Sequence, residues 1–123
     1  MNNNLIWENE DFFIEKHNFI LPWVKLFTKK EYKELIEVPF DLKMQMYGLI
    51  EDIERVMIDF YNPTKINIAS FGNIVPHLHW HIIARFKEDP YFPNTPWQEP
   101  LREANLHLPS FNEFIKRLNK ELK

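Results

Sequence analysis

The 123-residue chain contains no cysteine, only two glycines and no surplus of positive charge. The absence of cysteine excludes disulfide bridges, zinc sites built on thiolates and catalysis by a thiolate. A formal net charge of −3 leaves the chain without the basic surplus that binding to a nucleic acid polymer requires. No apolar run approaches the ~20 residues that cross a bilayer, and the first residues have no signal-peptide pattern. We therefore expect a cytoplasmic protein that binds neither nucleic acid polymers nor membranes.

What the chain does contain is a high share of apolar and aromatic residues, 45% and 15% respectively. That composition is ordinary for a folded globular protein and argues against disorder. A length of 123 residues is enough to bury one core and too short for two. We expect a single domain over residues 1–123, with a proline-rich coil at 91–109 and a C-terminal helix at 110–122.

Hydrophobic periodicity divides the chain into strands, a long helix, further strands and a short helix. Extended segments are predicted at 5–8, 11–16, 19–28, 65–71 and 75–86, and residues 29–39 suit either a short helix or a structured loop. The long amphipathic helix is predicted from an N-cap at Asp41 to the Asn62-Pro63 pair. Ser110 and Glu113 form a capping-box pattern for the short helix. This order predicts an α+β domain with an antiparallel sheet.

Three of the five histidines alternate along the predicted strand at 75–86, at positions 77, 79 and 81. Because side chains alternate across a strand, these imidazoles are expected to project from one face. The intervening residues are apolar and are expected to lie under the long helix: Leu78, Trp80 and Ile82. The pattern indicates a strand that presents imidazoles to a ligand or a substrate.

The residues alone leave three interpretations of these histidines open. They could be satisfied or solvated side chains, or they could ligate a metal together with His17 or His107 if the fold returns those residues to the site. Alternatively, one imidazole could attack phosphorus, form a covalent intermediate and yield to water. Phosphate oxygens then need amide or backbone donors, and Asn67, Gly72 and Asn73 lie just upstream.

The run from Asn67 to Arg85 resembles the signature of the histidine triad (HIT) superfamily, His-φ-His-φ-His-φ-φ with φ apolar. Every φ position holds an apolar residue: Leu78, Trp80, Ile82 and Ile83. Gly72-Asn73 stands where the family usually has Gly-Gln, and the long helix precedes the motif in the family's order. The resemblance covers about residues 5–90, and it is greatest to a compact bacterial branch with a later segment similar to residues 89–97.

Membership of this family implies an antiparallel sheet of about five strands with one long helix packed on it and a short C-terminal helix. It implies a hydrolase or transferase that cleaves at the α-phosphate of a nucleoside phosphoramidate or a dinucleoside polyphosphate, such as a diadenosine polyphosphate. His79 matches the nucleophile, which forms a nucleotidyl-histidine, His81 the residue that assists the leaving group, and His77 the residue that orients the site. The nucleotide-binding positions are matched by Asn67, Gly72, Asn73 and Val75. The resemblance implies a homodimer with a sheet continuous across both chains, and neither a cofactor nor a metal.

Two departures from the family pattern keep a second function open. Trp23 stands where the family usually has a fourth histidine, and Ile74 stands where many members have a hydroxyl residue. A nucleotide-binding module with weak catalysis is therefore the alternative, beside a metal protein with histidine ligands. Trp97 could form a rim over the nucleotide or pack on the domain or a partner chain, and Arg85 could steer an anionic substrate.

Overall fold

The computed structural model describes residues 3–122, and its strands and helices follow the predicted order. The elements are β1 (Leu5–Glu8), β2 (Phe12–Lys16), β3 (Trp23–Thr28), a 3₁₀ turn (Leu35–Glu37), α1 (Phe40–Tyr61), β4 (Lys65–Ala69), β5 (His79–Arg85) and α2 (Phe111–Glu121). The five strands form one sheet in the order β1-β2-β3-β5-β4, and every neighbouring pair is antiparallel. The predicted α+β fold, with five strands, one long helix and a short C-terminal helix, is confirmed.

The core lies between the sheet and the apolar face of α1. Helix residues at three- and four-residue steps are buried against alternate strand residues, as the periodicity predicted. The buried helix positions include Met46, Ile50, Ile53 and Met57, and the buried strand positions include Ile14, Val24, Leu26 and Ile82. This arrangement leaves the opposite face of the central strands available for a site.

The N-cap predicted at Asp41 is wrong. The helix begins at Phe40, and Pro39 is its N-cap residue, without a side-chain cap hydrogen bond. The proline ring fixes φ near the value that a helix entry needs, so the chain turns into the helix earlier than predicted. Asp41 lies in the first turn, where a carboxylate still interacts favourably with the helix dipole. At α2 the predicted N-cap residue is confirmed, because the Ser110 hydroxyl accepts a hydrogen bond from the Glu113 N–H at 3.3 Å. The Glu113 carboxylate accepts a hydrogen bond from Lys116.

Two strands begin later than the patterns predicted. The segment before Trp23 forms bends, because Pro22 cannot donate to a strand ladder. β5 begins at His79, where it pairs with Phe27, and β3 ends at the next residue, Thr28. His77 therefore has no partner strand and lies in a bend just before β5.

Candidate active site

β5 is flanked by β3 and β4, and pairing on both sides fixes the direction of its histidines. His79 and His81 lie on the face opposite α1, while Ile82 belongs to the core under the helix. His81 is in register with Lys25 of β3 and Ala69 of β4, and His79 with Phe27. The strand therefore presents two of the three predicted imidazoles side by side, with ring centroids 4.9 Å apart.

The hydrogen bond of His79 determines which of its ring nitrogens carries the proton. Nδ1 lies 2.7 Å from the backbone oxygen of His77. A carbonyl oxygen can only accept, so Nδ1 is the donor and the neutral ring has its lone pair on Nε2. The Phe27 ring stacks on the imidazole at a centroid distance of 4.7 Å. A rigid imidazole with a free lone pair is the state that nucleophilic attack requires.

His81 is held in the opposite tautomer. The indole N–H of Trp23 donates to His81 Nδ1 at 3.1 Å, so the proton of the neutral ring is on Nε2. Burial lowers the pKa of His81 to about 4, and nearby positive groups add to the effect, namely His79, Lys25 and His17. Near neutral pH the ring is therefore an uncharged hydrogen-bond donor through Nε2–H.

His77 supports the site from outside β5. Its Nε2–H donates to the Thr28 carbonyl oxygen at 2.6 Å, and its own carbonyl accepts the Nδ1–H of His79. The ring is also 5.2 Å from the Phe27 ring, centroid to centroid. His77, the first triad position, therefore anchors the backbone that sets the tautomer of His79, and its side chain is not among those lining the cleft.

A cleft of about 550 Å³ opens beside the two imidazoles. It is lined by His79 and His81, by the loop after β4 and by the proline-rich segment: Phe71, Gly72, Asn73, Ile74, Val75, Thr95 and Trp97. Gly72 has a φ of +68°, a conformation that other residues adopt only at a cost. The predicted binding residues Gly72, Asn73 and Val75 thus lie together at this cleft.

Asn67 is on the same face of the sheet but is engaged elsewhere. Its side-chain oxygen accepts a hydrogen bond from Arg85 Nη1 at 2.8 Å, and the residue is not in the cleft lining. Arg85 is only 2% exposed and also donates twice to the Asp89 carboxylate, at 3.0 and 3.1 Å. The sequence-based expectation that Arg85 could steer an anionic substrate is wrong, because the guanidinium is buried in this ion pair.

Asp89 anchors a segment that borders the cleft through Thr95 and Trp97, residues 89–102, which we call the strap. Its carboxylate also accepts hydrogen bonds from the backbone N–H groups of Phe86, Tyr91 and Phe92. Burial alone raises the pKa of Asp89, but the hydrogen bonds from Arg85 and these amides outweigh it, so the net pKa is lowered. The charged carboxylate therefore organises the first turns of the strap.

The strap delivers Trp97 to the rim of the cleft. Its ring packs edge-on against Trp23, His81 and Phe71 at centroid distances of 5.1, 5.0 and 4.9 Å. The side chain is still 46% exposed. The two roles considered for Trp97 are thus combined, since it packs on the domain and also borders the cleft.

Sequence reasoning left the position of His17 open and missed Thr95. His17 lies against Trp23 with a ring distance of 4.2 Å, although in sequence it precedes the expected position of the fourth histidine. Burial lowers the pKa of His17, and the charge of Lys25 adds to this. Thr95 lines the cleft from the strap. The chain reversal between β2 and β3 returns His17 to Trp23, and no local pattern in the sequence predicts that contact or the position of Thr95.

Residues 3–122 contain no preformed cluster of side chains that would bind a metal ion. In that range no group of three or more His, Asp or Glu side chains is arranged to hold an ion. His107 is exposed on the segment before α2, outside the cleft. No helix in the same range is long and apolar enough to cross a membrane.

Comparison with known proteins identifies the family. The family described as "HIT domain" matches residues 2–88. The structure is similar to a histidine triad protein from Bradyrhizobium japonicum, at 25% identity and a TM-score of 0.80, covering 98% of this chain and 92% of that one. A histidine triad protein from Sinorhizobium meliloti is similar at 25% identity and a TM-score of 0.79, covering 98% and 90%.

A more distant similarity extends the comparison. The diadenosine triphosphate hydrolase of Plasmodium falciparum shares the fold at 17% identity and a TM-score of 0.55, covering 96% of this chain and 73% of that one. No match was found among curated proteins. The family match spans most of the chain and includes the His77–His81 motif and the strands around it. The chain belongs to the HIT domain family.

Proposed function

We propose that this protein hydrolyses or transfers nucleotides by attack of His79 on the α-phosphate of a phosphoramidate or a dinucleoside polyphosphate. The observation that carries the proposal is the 2.7 Å hydrogen bond from His79 Nδ1–H to the His77 carbonyl, because it leaves Nε2 as the nucleophilic nitrogen. Neighbouring His81 offers an N–H donor in the same cleft. A lone pair and a donor side by side suit displacement at phosphorus.

The reaction has two displacements at one phosphorus atom. His79 Nε2 attacks the α-phosphorus while the bond to the leaving oxygen or nitrogen breaks, and the leaving group departs with the bonding electrons and takes a proton from water. The Nε2–H of His81 donates a hydrogen bond to the oxygens that gain charge. Water then attacks the phosphorus, the bond from phosphorus to Nε2 breaks, and its electrons return to the imidazole. The nucleoside monophosphate leaves and the water proton passes to solvent.

The loop after β4 supplies the remaining phosphate contacts in this proposal. Ile74 is 94% exposed and has no hydroxyl, so the contacts come from backbone N–H groups and from the Asn73 amide. Gly72 adopts the positive φ of this loop without the strain that a residue with a Cβ would have there. Asn67 acts indirectly here, since its amide oxygen is bound by Arg85.

The substrate panel follows from the family. The Plasmodium relative is named for diadenosine triphosphate hydrolysis, which makes diadenosine polyphosphates one arm of the panel. Adenosine phosphoramidates form the other arm, because nitrogen and oxygen leaving groups differ in their need for a proton. We further propose that the enzyme acts in the cytoplasm as a homodimer, with no bound metal or cofactor.

A nucleotide-binding module with weak catalysis is the second candidate, and Trp23 and Ile74 favour it. An indole cannot accept or relay a proton as an imidazole can, and an isoleucine contributes no hydroxyl to the phosphate. Under this alternative the cleft binds a mononucleotide with measurable affinity while hydrolysis stays near background.

The test is AMP release from both substrate classes, with EDTA present, by the wild-type protein and by His79→Ala. The matched control is His107→Ala, which removes an exposed imidazole that does not line the cleft. We expect release by the wild type and by the control, and none by His79→Ala despite an unchanged circular dichroism spectrum. Quenching in alkaline denaturant during turnover should leave an AMP adduct on the peptide that contains His79, because a phosphorus–imidazole bond survives alkali and hydrolyses in acid.

The other outcomes separate the candidates. Near-normal turnover by His79→Ala would refute the proposed nucleophile. Nucleotide binding in calorimetry without hydrolysis by any of the three proteins would establish the binding module. Activity that is lost in EDTA and returns with added metal would show that the histidines act as ligands.

A further inference from the structure

Trp23 stands at the beginning of β3 and is almost completely buried, at 3% exposure. Its indole N–H donates a hydrogen bond to Nδ1 of His81, which lies 58 residues later in the sequence. An indole nitrogen can donate but cannot accept, whereas a histidine at this position could do either. The direction of this hydrogen bond is therefore fixed by the residue type.

We propose that Trp23 is a positioning residue that holds His81 in the neutral Nε2–H tautomer, with that N–H facing the cleft. The kinetic part of this inference rests on the proposed function, but the tautomer itself does not. In this arrangement His81 works as a hydrogen-bond donor to phosphate and not as a charged acid. The tryptophan is then an adaptation of the site and not a defect in it.

The surrounding rings keep the donor in place. The Trp23 indole contacts His17 at 4.2 Å, Phe19 at 5.3 Å and Trp97 at 5.1 Å, centroid to centroid. Its aromatic neighbours lie on the β2–β3 connection and the strap, so rotation of the indole would disturb both segments. A donor immobilised by packing loses little entropy when it binds the imidazole.

The charges that face His81 act in the same direction. His79 lies on the same strand, Lys25 is its partner on β3, and His17 reaches it from the β2–β3 connection. The Glu15 carboxylate lies 3.9 Å from the Lys25 ammonium. Protonating His81 at Nδ1 would place a new N–H against the indole N–H, so it would break the hydrogen bond as well as add a buried charge.

The first experiment measures tautomers without any substrate. Long-range ¹H–¹⁵N correlation spectra report which imidazole nitrogen is protonated, and a His81→Gln sample assigns the signals of His81. We expect a single Nε2–H tautomer that stays neutral from pH 8 down to about pH 5. Trp23→Phe keeps an aromatic ring at this position and removes the indole N–H donor. His81 should then show mixed tautomers and titrate nearer to its ordinary pKa.

Trp80→Phe is the matched control. Trp80 is on the same sheet, but its buried indole N–H has no hydrogen-bond partner within residues 3–122, so the same substitution deletes no hydrogen bond among the described residues. We expect this variant to leave the His81 spectrum unchanged. A wild-type His81 protonated on Nδ1, or a Trp23→Phe spectrum identical to that of the wild type, would overturn the proposal.

Kinetics provide the second readout. Trp23→Phe should lower kcat about tenfold with KM nearly unchanged, because a misdirected donor acts on the reacting phosphate and not on ground-state binding. Trp23→His should recover part of kcat and add a loss of activity at acid pH, since its imidazole can accept as well as donate. Equal kcat values for wild type and Trp23→Phe would refute the positioning role.

The two failures are distinguishable. If His79→Ala is fully active, the proposed function fails, whatever the state of His81. If His79→Ala is inactive but His81 has the other tautomer, the nucleophile stands and the role of Trp23 is wrong.

Discussion

Two histidines that are two residues apart on one strand carry their protons on different nitrogens, and the cause is the chemistry of their partners. His79 faces a carbonyl oxygen, which can only accept, and His81 faces an indole N–H, which can only donate. One ring therefore presents a lone pair and the other presents a donor. The difference comes from the groups that face the two rings, namely the His77 carbonyl and the Trp23 indole.

The low pKa of His81 predicts that folding stability falls in mild acid. The pKa is about 4 in the fold against 6.5 ordinarily, so the unfolded chain binds the proton more tightly. Above pH 6.5 the ring is neutral in both states, so it does not reduce the free energy of unfolding. As pH falls from 6.5 toward 4, only the unfolded chain binds the proton, so the free energy of unfolding falls. The loss between pH 7 and pH 5 should be about 2 kcal/mol.

Urea unfolding at the two pH values measures this loss, and His81→Gln is the comparison. The variant should lose much less stability over the same interval, although His17 contributes in the same direction because its pKa is also lowered. Parallel pH dependence in both proteins would contradict the assignment to His81.

Gly72 gives a second prediction at the scale of one residue. A Cβ there would meet the Val75 carbonyl oxygen at 3.6 Å, an ordinary contact, so the cost of Gly72→Ala comes from the positive φ and should be about 1 kcal/mol. Asparagine tolerates this conformation better, so Gly72→Asn should be less destabilised. Thermal unfolding of the wild type and the two variants measures this order of stability. A Gly72→Ala protein more stable than Gly72→Asn would contradict it.

Sequence patterns could place some of these residues but not all. Strand alternation was sufficient to put His79 and His81 on one face, because that depends only on the local period. The positions of Asn67 and His77 depend on residues distant in sequence. Asn67 is bound by Arg85, which is itself paired with Asp89, and His77 is bound to the Thr28 carbonyl at the end of β3. No period in the sequence encodes such contacts.

At the scale of elements, the strap depends on a buried ion pair. Asp89 is 0% exposed and binds Arg85, while Arg102 Nη1 donates to the carbonyl oxygens of Asp89 and Phe92 at 2.6 and 2.8 Å. These contacts join both ends of the strap. The position of Trp97 at the cleft therefore depends on charged residues on both sides of it in the chain, Asp89 before it and Arg102 after it.

Asp89→Asn should detach the strap. The amide keeps the size of the side chain but leaves the Arg85 guanidinium buried without a countercharge, which should cost about 3 kcal/mol. We expect faster chymotryptic cleavage after Trp97 and a higher KM for nucleotide substrates. Lys116→Met is a control that removes an exposed ion pair with Glu113, and its stability should change little. Equal cleavage rates for wild type and Asp89→Asn would contradict the role of Asp89.

Element types were predictable, while their starting points were less so. The long helix and the strands have strong apolar periods, but β5 begins at His79 because β3 ends opposite it, which is a property of the pair. The four prolines of residues 89–100 indicated a coil, but they did not indicate that Asp89 would hold it in place. That role requires the Asp89 side chain to fold back on Arg85, which lies just before it in the sequence.

For the whole molecule, the two edges of the sheet differ. Near the β1 edge, α2 is attached through Asn119, whose Nδ2 donates to the Ile6 carbonyl at 2.9 Å. No strand within residues 3–122 pairs with the outer edge of β4, where Ile68 is 39% exposed. An open edge with an exposed apolar residue is suited to pairing with a second chain.

We expect sedimentation at twice the chain mass of 15.1 kDa, with β4 at the interface. Ile68→Glu should shift the population toward the monomer, because pairing would bring two carboxylates close together at the shared edge. Ile36→Glu is a matched control on another exposed isoleucine, in the 3₁₀ turn. A monomeric wild type would refute the homodimer, and dissociation by both variants would place the interface elsewhere.

The interior position of β5 also limits how this protein can be regulated. A strand with ladders on both sides exchanges its amide hydrogens only when one of those ladders opens, so the backbone of His79 and His81 should keep its protection longer than the loops that line the cleft. A modulator acting through small local fluctuations cannot rearrange these two residues. It has to work through the loop at 72–75 or through the strap, the two parts of the cleft that the sheet does not hold.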